Sequence, residues 1–311
     1  MVSSSSSPGG LLILGGSGFL GSHLLRRAPV VSGAPVVAAS RNPKSYRLPG
    51  TPAEIVERVF DAEHDDPVAL FDQLQPACVI LTTAHSRVAD CEREPERAHQ
   101  LNTVFPGRVA EWCSAQATRL VHVSTDLVFS GAAPPGGYRE EDEPGAPNVY
   151  GRTKAAGEER VLAANPAALI VRLPLLFGDS CGRGLGASDA LRAPIRRGEK
   201  PGLFLDEWRT ALECENAADA LLEAAMARSL AGILHVAGPA RLSRLELGLL
   251  MLEAMGSSAE EAHARVRPIR RADVGMQDRA SDCSLATGRA RSVLETRLDP
   301  PGLRPLPPAL T

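Results

Sequence analysis

Gly15-Gly16-Ser17-Gly18-Phe19-Leu20-Gly21 follows the apolar run Leu11–Leu14 and opens a stretch with helical spacing. In a strand–turn–helix unit, the first glycine allows a tight turn and the second lets a pyrophosphate approach the backbone. The third lets the helix pack closely on the strand. The amino end of such a helix presents free N–H groups to phosphates. A glycine-rich turn alone is a weak signal, but its place in the first unit of a longer series favours dinucleotide binding.

Strand-like and helix-like stretches alternate from this turn to about residue 237. The predicted strands cover 11–14, 35–40, 55–60, 78–82, 120–124, 168–172 and 232–236, and the predicted helices cover 19–27, 67–74, 95–115, 148–164 and 215–227. Strands that are apolar through their middles are typical of a parallel sheet covered on both faces. Right-handed crossovers then predict an α/β, doubly wound Rossmann fold with its ligand at the carboxyl ends of the strands.

Two regions interrupt the alternation, and they divide the chain. We predict a Rossmann domain over 9–177 plus 211–237, which binds the dinucleotide. We predict a smaller, mostly helical substrate-binding lobe over 178–210 plus 238–311. Residues 1–8, rich in serine, are predicted to be a disordered N-terminus, and 300–308, rich in proline, an extended tail.

Composition excludes several classes of function. The chain has 311 residues and a net charge of −3, so no basic field indicates nucleic acid as a partner. Its apolar runs are too short to cross a membrane. The six cysteines show neither Cys-x-x-Cys nor histidine at zinc spacing, so we expect no metal site. They are predicted to be small core residues in a reducing cytoplasm.

Tyr150 and Lys154 form the second informative motif. Their i, i+4 spacing places both side chains on one helix face. A phenol has a pKa near 10, and a neighbouring ammonium lowers it, so the pair can exchange a proton with a carbonyl or alcohol oxygen. On its own, this spacing is better explained by an incidental tyrosine and lysine on a surface helix. Ser124-Thr125-Asp126 changes the odds, because it ends an apolar strand and supplies a hydroxyl for the same substrate oxygen.

The end of the second strand predicts which dinucleotide binds. Enzymes of this fold that use NAD place an acidic residue there to hold the ribose 2′-hydroxyl. Here the strand ends in Ser40-Arg41-Asn42, with no acid until Glu54. A guanidinium can pair with the 2′-phosphate of NADP in a bidentate geometry. The sequence therefore favours NADP(H) over NAD(H), the alternative being that Arg41 is a solvated loop residue.

The glycine turn and the Tyr150–Lys154 pair together resemble those of the extended short-chain dehydrogenase/reductases. These share a fold of NAD(P)-binding enzymes that often act on nucleotide sugars. Within them the chain is most similar to the dTDP-4-dehydrorhamnose reductase group. The similarity is carried by Val123–Gly131, Asn148–Glu158 and Arg279–Leu285, and more loosely by 94–102 and 206–210. One departure is Leu127, which stands where the group usually has tyrosine.

The resemblance implies roles for individual residues. Thr125 is the hydroxyl partner, Tyr150 the proton donor and Lys154 its activator; Asn102 holds the place of a helix-kinking asparagine, and Asp61 that of an adenine contact. The full set predicted to contact the cofactor is Gly15, Ser17, Gly18, Phe19, Leu20, Gly21, Ser40, Arg41, Asn42, Asp61, Ala62, Thr82, Thr83, Ala84, Asn102, Ser124, Tyr150, Lys154 and Leu173.

Five residues are predicted to contact the substrate: His85, Thr125, Asp126, Trp208 and Arg209. A polar cap at a strand end is an alternative role for His85, and a structural salt bridge is an alternative for Arg209. For Asp61, an N-cap or turn role is the alternative to the adenine contact.

The resulting prediction is a reductase that uses NADPH to reduce a keto group on a nucleotide-activated sugar, specifically a dTDP-type 4-keto-deoxysugar. Tyr150 is its proton donor. Two alternatives stay open: a nucleotide-sugar epimerase or dehydratase with tightly bound NAD, and a non-catalytic regulatory subunit that binds NADP. The expected partner is a small-molecule nucleotide sugar, and a homodimer is left open.

Overall fold

A computed structural model describes residues 9–42, 48–276 and 279–301. Within these ranges the strands are β1 (Leu11–Leu14), β2 (Val36–Ser40), β3 (Val56–Val59), β4 (Cys78–Leu81), β5 (Arg119–Thr125), β6 (Leu169–Leu173), β7 (Leu176–Phe177), β8 (Gly202–Phe204), β9 (Trp208–Arg209), β10 (Leu212–Glu213), β11 (Gly232–His235), β12 (Leu242–Ser243) and β13 (Arg267–Ile269). The predicted disordered start at 1–8 and almost all of the predicted tail lie outside the described residues.

The helices in the same ranges are α1 (Phe19–Ser32), α2 (Pro67–Leu74), α3 (Val88–Arg93), α4 (Pro95–His99), α5 (Phe105–Ala115), α6 (Val149–Ala164), α7 (Gly186–Arg196), α8 (Cys214–Met226), α9 (Arg244–Ala254), α10 (Ala259–Arg265) and α11 (Gly288–Val293). A π-helical turn, Gln100–Val104, joins α4 to α5. Short 3-10 turns cover Asp126–Val128 and Arg271–Val274. None of the helices in the described ranges is long and apolar enough to cross a membrane.

Seven strands form the central sheet in the order β11-β6-β5-β4-β1-β2-β3. The pairs around β1 are parallel, with Leu11 opposite Val36 on one side and Cys78 on the other. Every residue of β1 and β4 is buried, because helices cover both faces of a parallel sheet. The predicted doubly wound Rossmann fold is confirmed.

Contacts divide the chain into two compact units. Unit 1 comprises 1–124, 153–171 and 221–233, and unit 2 comprises 125–152, 172–220 and 234–311. These borders are not the predicted domain borders at 177, 210 and 237. The predicted division into a Rossmann domain and a substrate lobe stays a prediction.

Each unit has its own apolar core. In unit 1, strand residues such as Leu12 and Val79 pack with Phe105 and Trp112 of α5, and the Trp112 indole donates to Asp72 at 2.8 Å. In unit 2, the core joins side chains of α7, α9 and α10, including Leu191, Leu247 and Met251. Three two-stranded pairs, β7 with β10, β8 with β13 and β9 with β12, complete unit 2.

Two element predictions were wrong in detail. The helix expected over 95–115 is not continuous, because the backbone widens into the π-helical turn at Gln100–Val104. Trp208 and Arg209, expected in a loop, form β9, which pairs antiparallel with Leu242–Ser243 of β12. The pairing partner is distant in sequence, so local pattern does not show it.

Candidate active site

The glycine turn has the geometry that a dinucleotide requires. Gly15 has a φ of +91°, and a Cβ added to it would lie 2.5 Å from Thr82 Oγ1. A Cβ on Gly21 would lie 2.2 Å from the Gly15 carbonyl oxygen, so α1 can approach β1 only with glycine at that position. Above Gly18, by contrast, the Gly15 oxygen at 3.2 Å is the sole neighbour within 4 Å among the described residues. A side chain would fill this space, and a phosphate fits it.

The residues predicted to contact the ribose and adenine lie at the ends of β2 and β3. Ser40 is buried, and its Oγ has no hydrogen-bond partner among the described residues. Arg41 and Asn42, which follow it, are exposed. Asp61 forms a turn, since its Oδ1 accepts from the Glu63 N–H at 3.1 Å. The turn role weighed for Asp61 is therefore present, and an adenine contact stays a prediction.

The remaining predicted cofactor residues of unit 1 lie in the glycine turn, at the start of α1 and after β3 and β4. The Thr82 hydroxyl donates to the Leu14 carbonyl at 2.8 Å and so ties the end of β4 to β1. Phe19 packs edge-on against His23, with 5.4 Å between ring centroids. The others are Ser17, Thr83 and Ala84, which are partly buried; Leu20, which is buried; and Ala62, which packs on the core.

Asn102 fixes the loop that follows β4. Its Oδ1 accepts from the His85 N–H at 2.9 Å, and its Nδ2 donates to the His85 carbonyl at 3.0 Å and to Thr153 Oγ1 at 3.1 Å. The asparagine lies in the π-helical turn and is fully buried. The predicted helix-kinking position is therefore occupied as expected. The His85 ring is partly buried, and its Nε2 has no hydrogen-bond partner among the described residues.

Lys154 is buried against β5. Its side chain is 1% exposed, and Nζ donates to the Val123 carbonyl at 2.7 Å and lies 3.1 Å from His122 Nε2. Burial lowers the pKa of Lys154 from 10.5 to about 8, and the charge of Glu158 acts in the opposite direction. An ammonium with a pKa near neutrality suits a lysine that tunes a proton donor.

Ser124 and Glu158 make a second buried contact between β5 and α6. The Ser124 hydroxyl donates to Glu158 Oε1, and both side chains are buried. Sequence reasoning missed Glu158, although it stands one helical turn after Lys154. It also gave no role to His122, whose signal is a polar residue inside an otherwise apolar strand on the same face as Ser124.

In unit 2, Thr125 and Asp126 lie beside Arg209. The Thr125 hydroxyl is 3.1 Å from Asp126 Oδ1 and accepts from the Leu127 N–H at 3.2 Å. Arg209 Nε lies 3.4 Å from Asp126 Oδ2, and both side chains are 4% exposed. The structural salt bridge weighed for Arg209 is thus present. A contact of its guanidinium with substrate phosphate stays a prediction.

Glu207 extends this buried network and was not predicted. Its carboxylate lies 3.4 Å from Arg209 Nη2 and accepts from Arg279 Nε at 2.5 Å. Although burial alone acts to raise the pKa of Glu207, the arginines around it hold that pKa below its ordinary value. Burial raises the pKa of Asp126 from 3.8 to about 6, against the opposing charge of Arg209. Asp126, Arg209 and Glu207 thus form a buried network of paired charges.

Three predicted residues of unit 2 occupy element ends. Tyr150 lies in the first turn of α6 and is partly buried. Leu173 ends β6 and is buried. Trp208 is partly buried, and the Arg241 guanidinium lies 4.4 Å from the centre of its ring.

Comparison with protein families decides the classification. The model of the RmlD substrate binding domain matches residues 9–300. The chain belongs to this family. RmlD-family relatives place it in the extended short-chain dehydrogenase/reductase superfamily, as the motifs predicted, and the predicted class of NAD(P)H-dependent oxidoreductase is confirmed at the level of the family.

Relatives with assigned functions differ in how much of them the chain covers. A dTDP-4-dehydrorhamnose reductase of Mycolicibacterium smegmatis is 37% identical over 61% of this chain and 56% of its own length. A probable low-salt glycan biosynthesis reductase, Agl14, of Haloferax volcanii is 31% identical over 79% of this chain and 80% of its own length. Methionine adenosyltransferase 2 subunit beta of Xenopus tropicalis is 30% identical over 70% and 66%.

Solved structures agree with the fold. A hypothetical dTDP-4-dehydrorhamnose reductase of Sulfolobus tokodaii has a TM-score of 0.73 and 26% identity, over 93% of this chain and 96% of that one. The Bacillus anthracis dTDP-4-dehydrorhamnose reductase in complex with NADP has a TM-score of 0.73 and 20% identity, over 94% and 96%.

Proposed function

We propose that this chain reduces a keto group on a nucleotide-activated sugar with NADPH, and that a dTDP-type 4-keto-deoxysugar is the substrate. The observation that carries the proposal is Lys154, a buried lysine held by β5 one helical turn after Tyr150. A surface helix with an incidental tyrosine and lysine would leave the ammonium in water. Two relatives named as reductases, one of them for a dTDP-activated sugar, support the substrate class.

The cofactor proposal rests on the chain's own residues. The open space above Gly18 fits a pyrophosphate, and the unpartnered Ser40 hydroxyl with exposed Arg41 suits a 2′-phosphate. NADPH supplies hydride when bound. Solved structures of the same fold contain NADP or NAD, so they support a nicotinamide cofactor, and the preference for NADPH rests on Ser40 and Arg41. The cytoplasmic location stays a prediction.

In the proposed mechanism, each side chain acts on the substrate oxygen or on the residue that donates a proton to it. Tyr150 donates the proton that the reduced carbonyl oxygen needs, and the Thr125 hydroxyl holds that oxygen by a hydrogen bond. Lys154 stabilises the tyrosinate that remains, because a positive charge nearby lowers the pKa of a phenol. Proton transfer from a positioned side chain contributes on the order of 10²–10⁴ in rate.

Tyr150→Phe tests the proposal in an assay of NADPH oxidation with a dTDP-4-keto-6-deoxyhexose generated in place. We expect kcat to fall on the order of 10²–10⁴-fold with the Kd for NADPH unchanged. Tyr138→Phe is the matched control, since Tyr138 is buried and its oxygen serves the structure by accepting from the Ala132 N–H at 2.9 Å. Wild-type turnover in Tyr150→Phe would mean that another group donates the proton. NAD retained through purification would indicate the epimerase or dehydratase instead.

One comparison favours a second candidate, a regulatory subunit without turnover. A relative that covers 70% of this chain is named as subunit beta of methionine adenosyltransferase 2. Tight NADPH binding without turnover on dTDP-, UDP- and GDP-activated keto sugars, together with a co-purifying enzyme, would support this candidate. This chain keeps Thr125, Tyr150 and Lys154, which is why we place the reductase first.

A further inference from the structure

His122 is a histidine inside a buried strand. It lies in β5 opposite Leu81 of β4 and is 0% exposed. Burial and the charge of Lys154 hold its pKa well below 6.5, so the ring is neutral at physiological pH. A neutral histidine in an apolar sheet is costly unless its nitrogens have partners.

Among the described residues, the hydrogen-bond partner of the ring is Lys154. His122 Nε2 lies 3.1 Å from Lys154 Nζ, and an ammonium can only donate. Nε2 must therefore be the acceptor, which places the ring proton on Nδ1. His122 Nδ1 is buried and has no hydrogen-bond partner among the described residues. Nδ1–H of the histidine thus has no hydrogen-bond partner among the described residues, while Nε2 accepts from the lysine.

The ammonium has a defined set of neighbours. The Val123 carbonyl, at 2.7 Å, and His122 Nε2 accept two of its three N–H groups. Glu158, one turn later on α6, supplies the nearest negative charge, but its carboxylate accepts from Ser124. Tyr150 precedes Lys154 by one turn on the same helix. With two N–H groups held, the direction of the third is fixed by the tetrahedral geometry of the ammonium.

We infer that His122 is a positioning residue for Lys154: its Nε2 and the Val123 carbonyl hold the ammonium in one orientation and leave its third N–H for another acceptor. This inference rests on the proposed function for its catalytic meaning. The contact itself can be tested without any turnover, through the protonation of Lys154.

The test uses the pH dependence of stability. Because the pKa of Lys154 is about 8 in the folded chain and near 10.4 when unfolded, the unfolded state binds more protons between these values. Stability therefore gains a contribution as pH rises from about 8 to about 10.4. Subtracting the curve of Lys154→Met isolates this contribution from those of other groups.

Two amide variants test whether His122 acts as a hydrogen-bond acceptor at the position of Nε2 or only as a polar side chain. The oxygen of His122→Gln reaches the position of Nε2, whereas the amide of His122→Asn reaches only that of Nδ1. Losing a neutral acceptor destabilises the ammonium, so the pKa of Lys154 falls further. We expect the onset of the stability gain to move down on the order of one pH unit in His122→Asn and to stay in His122→Gln.

The pH dependence of catalysis should differ between the two amide variants in the same way. In His122→Asn, the pH at which kcat declines should move down by a similar amount and KM for the sugar should change little; His122→Gln should restore both. His235→Gln is the control for a buried histidine beside a buried cation, since its Nε2 lies 3.3 Å from Arg172 Nη1. We expect it to lower the melting temperature without moving the Lys154 onset.

An unchanged Lys154 onset in His122→Asn, or equal shifts in the Gln and Asn variants, would overturn the inference. If His122→Asn does not fold, His122→Met replaces it, because methionine fills the space without a strong acceptor. A shifted onset in a chain that turns over no keto sugar would keep the His122–Lys154 contact and refute the proposed reductase, so the two failures are distinguishable.

Discussion

At the scale of single residues, a buried pair of opposite charges lies next to a residue proposed for chemistry. Asp126 is 3% exposed and directly follows Thr125, and its partner Arg209 is 4% exposed. Paired buried charges seldom add stability over apolar packing, so their retention indicates another use. Here the Asp126 carboxylate lies 3.1 Å from the Thr125 hydroxyl. Because a hydroxyl has one hydrogen to donate, Thr125 can donate to a substrate oxygen only when it turns away from Asp126.

Asp126→Asn gives the first residue-scale prediction. The pKa of Asp126 is about 6 in the folded chain, above 3.8, so its stabilising contribution is full below 3.8 and is lost as pH rises through 6. Asparagine does not titrate. Wild type should therefore lose about 2 kcal/mol relative to Asp126→Asn between pH 4.5 and pH 7. Urea unfolding across this range measures the difference, and a constant gap would contradict the raised pKa.

Arg41→Ala gives the second residue-scale prediction. A charge-assisted hydrogen bond of roughly 1.5–3 kcal/mol predicts about 10- to 150-fold tighter binding of NADPH than NADH. Removing the guanidinium should weaken NADPH binding by most of this factor and leave NADH nearly unchanged. Titration of both cofactors measures it. Arg58→Ala, which removes a basic side chain from neighbouring β3, is the control, and equal affinities in the unmodified chain would refute the assignment.

At the scale of elements, the π-helical turn explains how a helix and a loop are held together. The turn at Gln100–Val104 places Asn102 where its amide can satisfy both backbone groups of His85. One extra residue in a turn widens the helix, and such turns are frequent at functional sites. The loop after β4, with Thr82, Thr83 and Ala84, is thereby anchored to the helix layer.

Asn102→Ala should therefore act through His85. Two backbone groups lose their partners, which at about 1–3 kcal/mol each predicts a loss of several kcal/mol in unfolding free energy. Thr153→Val removes only the third contact of the amide and should cost about 1 kcal/mol. Thermal unfolding and cofactor titration measure both variants. Equal losses would mean that the clamp on His85 is not what the asparagine provides.

The elements also show what sequence could predict. β1 and β4 were predictable because short apolar runs between turn residues have few other uses in an α/β chain. The resemblance marked Asn102 as a helix-kinking position, but the bounds of the π-helical turn were not predictable, since its side chains keep a near-helical pattern and its contacts with His85 join segments far apart in sequence. For the same reason the motifs identified Lys154 but not His122, whose proposed role depends on the packing of α6 against β5.

At the scale of the whole molecule, cysteine placement measures how tightly the chain is packed. All six cysteines are free; Cys181 is exposed and the other five are buried. Burial raises the pKa of Cys78, Cys113 and Cys283 to about 12. A thiol is reactive as thiolate, so burial suppresses both access and ionisation. The prediction of small core residues holds for five of the six.

Thiol titration with a disulfide reagent at pH 8 should therefore give one fast thiol in the native chain and six in guanidinium. Because a buried thiol reacts only after an opening that costs several kcal/mol, its reaction should be on the order of 10³-fold slower or more. Cys181→Ser should abolish the fast phase and leave the slow one unchanged, which identifies the residue. Saturating NADPH should slow the buried thiols further, since a ligand that binds only the folded state at 100 times its Kd adds about 2.7 kcal/mol. Two or more fast thiols in the native chain would show that a region described as packed opens readily.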